Sequence, residues 1–254
     1  MTRLIASELL KLRSTRAPII LAAVWFALAV GLVVLNFRLT SDLELELADE
    51  QEILIRSLVT FIGLLIAPII GIGIAATDIR HRVIAATLLN EPRRERVITG
   101  KFIVAAIVGA AVGAVVSAAA IGSAALIILA EDFRFGMSAT DIVAAIGAGA
   151  VFGALMCLLG FGVGSVVMNQ TAAIVLTLAF LIIVQSILIF VIPESLIKWI
   201  PGLLAVSVSE LWGPIDVDRG DEIFSAGVSA LVLLGYGVAL SALGALRLKN
   251  TDIT

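Results

Sequence analysis

The sequence predicts an all-α, polytopic membrane protein with six transmembrane helices, and three observations carry that expectation. Of its 254 residues, 61% are hydrophobic and 15% charged, with a mean hydropathy of +1.15, against about 45–50% apolar and about 25% charged in soluble domains. The apolar residues come in blocks of 19 or more, and a hydrocarbon core takes about 20 residues of helix to cross. The blocks are continuously apolar rather than alternating, which disfavours a β-barrel.

Six blocks follow in order: residues 18–36, 53–76, 102–130, 142–167, 172–192 and 224–246. The first follows a basic stretch and invites comparison with a signal peptide. A signal's apolar region runs about 7–15 residues and ends at a small-residue cleavage site, whereas this span is longer and ends at Leu35, Asn36, Phe37 and Arg38. It is read as a retained span. The second contains Pro68 with Gly63, Gly71 and Gly73, a combination expected to bend or soften it into a hinge at Pro68. Arg56, one turn inside its outer end, is expected to snorkel outward. The almost chargeless turn at residues 168–171 makes spans four and five a tight hairpin.

An even number of spans puts both termini on one side, and the basic residues choose the side. Twelve of the 17 Lys and Arg residues fall in the N-terminal segment, the connection between spans two and three, and the C-terminus. Positive residues stay cytoplasmic, so both termini are expected in the cytoplasm of a cell carrying this protein in its plasma membrane. Fifteen of the 20 acidic residues lie on the other side. The net charge of −3 thus hides two opposite surfaces and offers no argument for nucleic acid.

Three segments are neither plain loop nor span. In residues 1–17, Leu4, Ile5, Leu9 and Leu12 can share one helix side while Arg3, Ser7, Glu8 and Lys11 share another, as in a helix lying at the headgroup plane. The connection 77–101 is too long for a turn. Within it Val83, Ile84, Leu88 and Leu89 recur at helical spacing, Pro92 interrupts, and residues 93–96 open a second short helix. A basic loop with a small apolar face suggests docking to a soluble partner. The bland reading, positive charge for topology alone, leaves the spaced apolar residues unexplained. The outer segment 193–222 holds apolar runs too short to span, which fits short re-entrant or interfacial helices with Trp199 and Trp212 at headgroup level.

Much chemistry is excluded. His81 and Cys157 are the single histidine and single cysteine, so no disulfide and no set of two or three His or Cys metal ligands can form within the chain; His81 lies in the basic connection at the membrane surface, away from any nucleophile at membrane depth, and no catalytic residue is assigned. Gly100-Lys101-Phe102 is not a phosphate loop. No span carries an acidic residue near its centre, where ion-coupled carriers need one. The polar groups at membrane depth are neutral, most of them suited to hydrogen bonds between helices. Thr60, Gln185 and Ser186 are the candidates for lining a pathway. The pairs Gly109/Gly113, Gly149/Gly153 and Gly160/Gly164 have small-xxx-small spacing, which serves packing within one chain or between two copies.

With these residues in view, the chain resembles the ABC type-2 permease family, the membrane subunits of ATP-binding-cassette exporters. The resemblance spans essentially the whole chain. It rests on Ser7-Glu8-Leu9-Leu10-Lys11-Leu12-Arg13 before span one, on Arg80-His81-Arg82-Val83-Ile84, Leu88-Leu89, Pro92-Arg93-Arg94-Glu95-Arg96 and Gly100-Lys101, and on the short outer helices around Pro201 and Gly202. Family members often carry a Glu before the Arg-His pair and Gly-Thr after it; this chain has Asp78 and Arg82-Val83.

The resemblance implies a half-transporter of two permease copies, or one copy with a sister permease, in contact with membrane lipid. Two cytoplasmic ATPase subunits would hold the ATP and Mg, and no cofactor is expected in this chain. It further implies that residues 1–17 form an elbow helix and that residues 77–101 form the coupling loop, with Arg80, Arg82, Val83, Leu88, Leu89, Arg93 and Arg94 contacting the ATPase. Two alternatives stand beside it: a secondary carrier or channel working through neutral polar groups, and a non-transporting membrane scaffold or sensor.

Overall fold

The computed structural model describes residues 7–10, 16–39, 48–80, 94–130, 134–210 and 224–250. Its long elements are α1 (Arg16–Leu39), α2 (Ala48–Arg80), α3 (Arg94–Ala130), α4 (Ala139–Val167), α5 (Gln170–Val191) and α8 (Ala226–Asn250). Two short helices, α6 (Glu194–Ile197) and α7 (Pro201–Ser209), separate α5 from α8. The six long helices are each long and apolar enough to cross a membrane, and no strand occurs among the described residues. The chain is a multi-pass, all-helical membrane protein.

Helix α4 packs on α2, α3 and α8, antiparallel to α3 and parallel to α2 and α8. Glycine makes this possible. Gly109 and Gly113 of α3 meet Gly153 and Gly149 of α4 so closely that a Cβ on any of the four would strike the facing backbone or the Ser117 side chain. On the α2 side, Gly71 lies against the Cys157 carbonyl and Gly160 against the backbone of Pro68. Small residues allow this approach, and the dispersion contacts it creates hold helices together where lipid offers no hydrophobic drive. The small-xxx-small pairs of α3 and α4 therefore pack within one chain.

The turn between α4 and α5 is as short as the sequence predicts. Met168 takes the left-handed conformation (φ 57°) and its N–H donates to the Gly164 carbonyl at 3.1 Å. Asn169 then caps α5, its side chain accepting from the Ala172 N–H at 3.1 Å. At the opposite end of α4, Ser138 and Asp141 form a reciprocal capping box.

Three expectations need correction. Arg56 does not snorkel: it is 2% exposed. That end of α2 is covered, because Gln51 accepts from the Gly136 N–H at 3.2 Å and donates to the Arg134 carbonyl at 3.4 Å, drawing the α3–α4 connection over it. No separate short helix opens at residues 93–96, since Arg94 begins α3 itself; no proline lies between it and the span, and Gly100 alone is too weak a breaker. Glu8 does not face outward with the polar residues. It is buried while Leu10 is 66% exposed, so the helical stretch 7–10 turns its carboxylate inward.

Candidate functional site

Besides Gln51 and Arg56 at the start of α2, two groups of buried polar residues lie inside the helix bundle, one near the ends holding Arg80 and Arg94, one about halfway through. At the first, Lys101 of α3 is buried, its Nζ 3.5 Å from Glu8 Oε2 and donating to the Ile74 carbonyl of α2 at 3.3 Å. A charge taken out of water is stable only when paired and hydrogen-bonded. Lys101 therefore ties three pieces together: residues 7–10, the last turns of α2 and the first turns of α3. These flank the connection that the sequence singles out for docking.

The second level is organised by α7. This nine-residue helix begins at Pro201, suited to the first helical position, and Gly202, Leu204, Ala205, Ser207, Val208 and Ser209 are all buried. It is a buried helix, packed on α8, α4 and α2. Gln185 of α5 accepts from the Gly202 N–H at 3.0 Å, supplying from a neighbouring span the acceptor that a helix start needs. There is no room for a side chain at residue 202, because a Cβ would collide with the Gln185 amide. At the far end, Ser209 lines a cavity of about 10 Å³ together with Thr60, Ser117, Gly149 and Phe152. Ser117 is fully buried, and its hydroxyl has no hydrogen-bond partner among the described residues. The space matches a single water, which needs two to four polar partners.

Gln185 also ends an irregularity. Residues Phe180–Val184 form a π-helical turn, with the Gln185 N–H bonded to the Phe180 carbonyl five residues back. Such turns are rare and recur at functional sites. Just past it, α6 ends at the segment where the Trp199 carbonyl accepts from the Tyr236 hydroxyl at 3.0 Å and the Trp199 ring meets Phe224 edge-on at 5.0 Å. Trp212 lies outside the described residues.

The three pathway candidates do not share a cavity. Thr60 faces the C-terminal end of α7 and Gln185 its N-terminal end, so the same short helix sits between them. Ser186 is exposed and donates to the Ile182 carbonyl of its own helix at 2.8 Å. Pro68, the expected hinge, lies inside an uninterrupted α2 with its backbone against Gly160. Of the docking residues, Arg80 ends α2 and Arg94 begins α3, while Arg82, Val83, Leu88, Leu89 and Arg93 lie outside the described residues.

Sequence reasoning gave Lys101 no partner, using it as a topological charge and as part of the resemblance, and it placed Glu8 on the polar side of the N-terminal helix rather than against Lys101. A lysine and a glutamate in two apolar contexts on the same side of the membrane were the available signal. Ser117 was legible as a mid-membrane hydroxyl, but nothing in the sequence brings it to Ser209. Compared with known proteins, the chain matches no family model and no curated protein sequence.

Proposed function

We propose that this chain is the membrane-spanning subunit of an ABC exporter, driven by separate ATPase subunits. The observation that carries the reading is the buried Glu8–Lys101–Ile74 junction. It joins residues 7–10 to the last turns of α2 and the first turns of α3, so a push on the connection between them moves the spans and the N-terminal segment together. A chain without ion-coupling carboxylates at mid-span and without a phosphate loop draws its energy from elsewhere, and a basic connection with spaced apolar residues is a fitting contact for the partner that supplies it.

In this reading the ends of the bundle near Arg80 and Arg94 face the cytoplasm, residues 1–17 act as an elbow helix, and α6 and α7 are re-entrant from the outer surface. A second copy or a sister permease completes the transporter. Gln185 and Thr60 then border a segment that moves when α2 and α5 shift, and a bend at Pro68 would slide α2 along α4 at Gly160.

Co-purification of an ATPase with the chain from membranes tests the assembly. Leu88→Asp or Leu89→Asp is expected to abolish that association while leaving membrane insertion intact, with single Arg→Gln changes at Arg80, Arg82, Arg93 or Arg94 milder, since apolar anchors dominate interfaces and rim charges mainly steer. Full association in both leucine variants sinks the docking assignment. Transport by the purified chain alone, without ATP, would favour a secondary carrier.

A further inference from the structure

A cavity of about 350 Å³ lies between α4, α5 and α8, closed on one side by Pro201 of α7, a volume at the lower end of the range of small-molecule sites. Its wall is built from Leu159 and Val163 of α4, Phe180 and Leu181 of α5, and Tyr236 and Leu240 of α8. Two observations set it apart from loose packing. Phe180 and Leu181 are the first two residues of the π-helical turn, so the irregular stretch of α5 forms one wall. The polar groups nearby are also turned away: Tyr236 gives its hydroxyl to the Trp199 carbonyl, and the buried Thr177 hydroxyl does not reach the cavity surface.

A wall without polar atoms selects its occupant by exclusion. A sugar, peptide, nucleotide or ion would leave water and find no hydrogen bond in return for each polar group it buries. A hydrocarbon chain has no hydrogen bond to lose, and it fills space that would otherwise leave the lining without dispersion partners. Leu176, at the rim, is 57% exposed on the flank of α5, so access is sideways, between helices whose outer faces are apolar enough to meet lipid. The geometry points to a binding site for a single hydrocarbon chain, entered laterally from the bilayer. It stands apart from the exporter reading, because it needs neither an ATPase nor a second copy.

Photolabelling tests it on the full-length protein in lipid nanodiscs, with two probes: dodecane bearing a diazirine, and a phosphatidylcholine bearing a diazirine in one acyl chain. Sites are read by peptide mass spectrometry. Label on Leu159 and Tyr236 is expected to saturate and to be displaced by unlabelled dodecane but not by dodecanediol. Label on Phe190, 90% exposed, is expected to rise without saturation. Val163→Phe should lower the cavity label about tenfold, because a ring takes the space the chain needs, and leave Phe190 label unchanged; Ala239→Trp at the rim repeats the test should the first variant misfold. Saturable label from the phosphatidylcholine identifies the occupant as a bilayer lipid tail, and label from dodecane alone identifies a free lipophile. Cavity label that tracks Phe190, or displacement by the diol as strong as by dodecane, overturns the proposal.

Discussion

Helices α4 and α5 are neighbours in sequence, joined by a two-residue turn and both continuously apolar, yet one is the centre of the bundle and the other hangs at its edge. Helix α4 contains six glycines and α5 none. The glycines let three other helices approach α4 at backbone distance, whereas α5 presents Val175, Leu176, Ile182, Ile183, Ile187, Phe190 and Val191 outward. Packing in lipid rewards close approach, and bulky side chains prevent it as effectively as they would drive burial in water. The same hydropathy therefore leads to opposite places in the fold. Past the buried Leu181, none of residues Gln185–Val191 is buried, and the Gln185 bond to Gly202 holds this end of α5 by direction rather than shape.

The comparison can be broken most severely in α4. Gly160→Leu would force a side chain into the Pro68 backbone, and we expect a loss of more than about 3 kcal/mol or failure to fold, read as the unfolding midpoint in mild detergent titrated with SDS. Ile183→Ala on the outward face of α5 should stay within about 0.5 kcal/mol in the same assay. Equal losses would mean that glycine packing does not distinguish the two helices.

Next in size is the Gln185 tether. Gln185→Leu leaves the buried Gly202 N–H without its acceptor, a loss of about 1–3 kcal/mol. Hydrogen exchange should rise locally in α7 and leave α3 and α4 protected; uniform exchange across the bundle would contradict a local role.

Two smaller changes should stabilise. Thr177→Val removes a buried hydroxyl that has no hydrogen-bond partner among the described residues and keeps the shape, for a gain of about 1 kcal/mol. Met168→Gly relieves a left-handed backbone at the turn between the two helices, with a gain below about 1 kcal/mol once the added freedom of the unfolded chain is subtracted. A fall in the unfolding midpoint for either variant would show that the side chain makes a contact worth more than its strain or desolvation.

The amino-acid sequence by itself determined the six spans and the tight turn after α4, because both follow from local quantities: length of apolar run, missing charge, and residues that cap or break a helix. It also marked Gln185 and Thr60 as polar groups out of place in hydrocarbon. Only the tertiary structure decided what those groups meet. Nothing in residues 193–222 distinguishes a helix lying at the membrane surface from one buried against α2, α4 and α8, since both are short and apolar; the difference is whether neighbouring helices leave a space. The π-helical turn at Phe180–Val184 has no proline or glycine to announce it. The Glu8–Lys101 pair joins residues more than ninety positions apart, and charges so distant in sequence become partners only when the bundle closes around them and removes the water that would otherwise solvate each one.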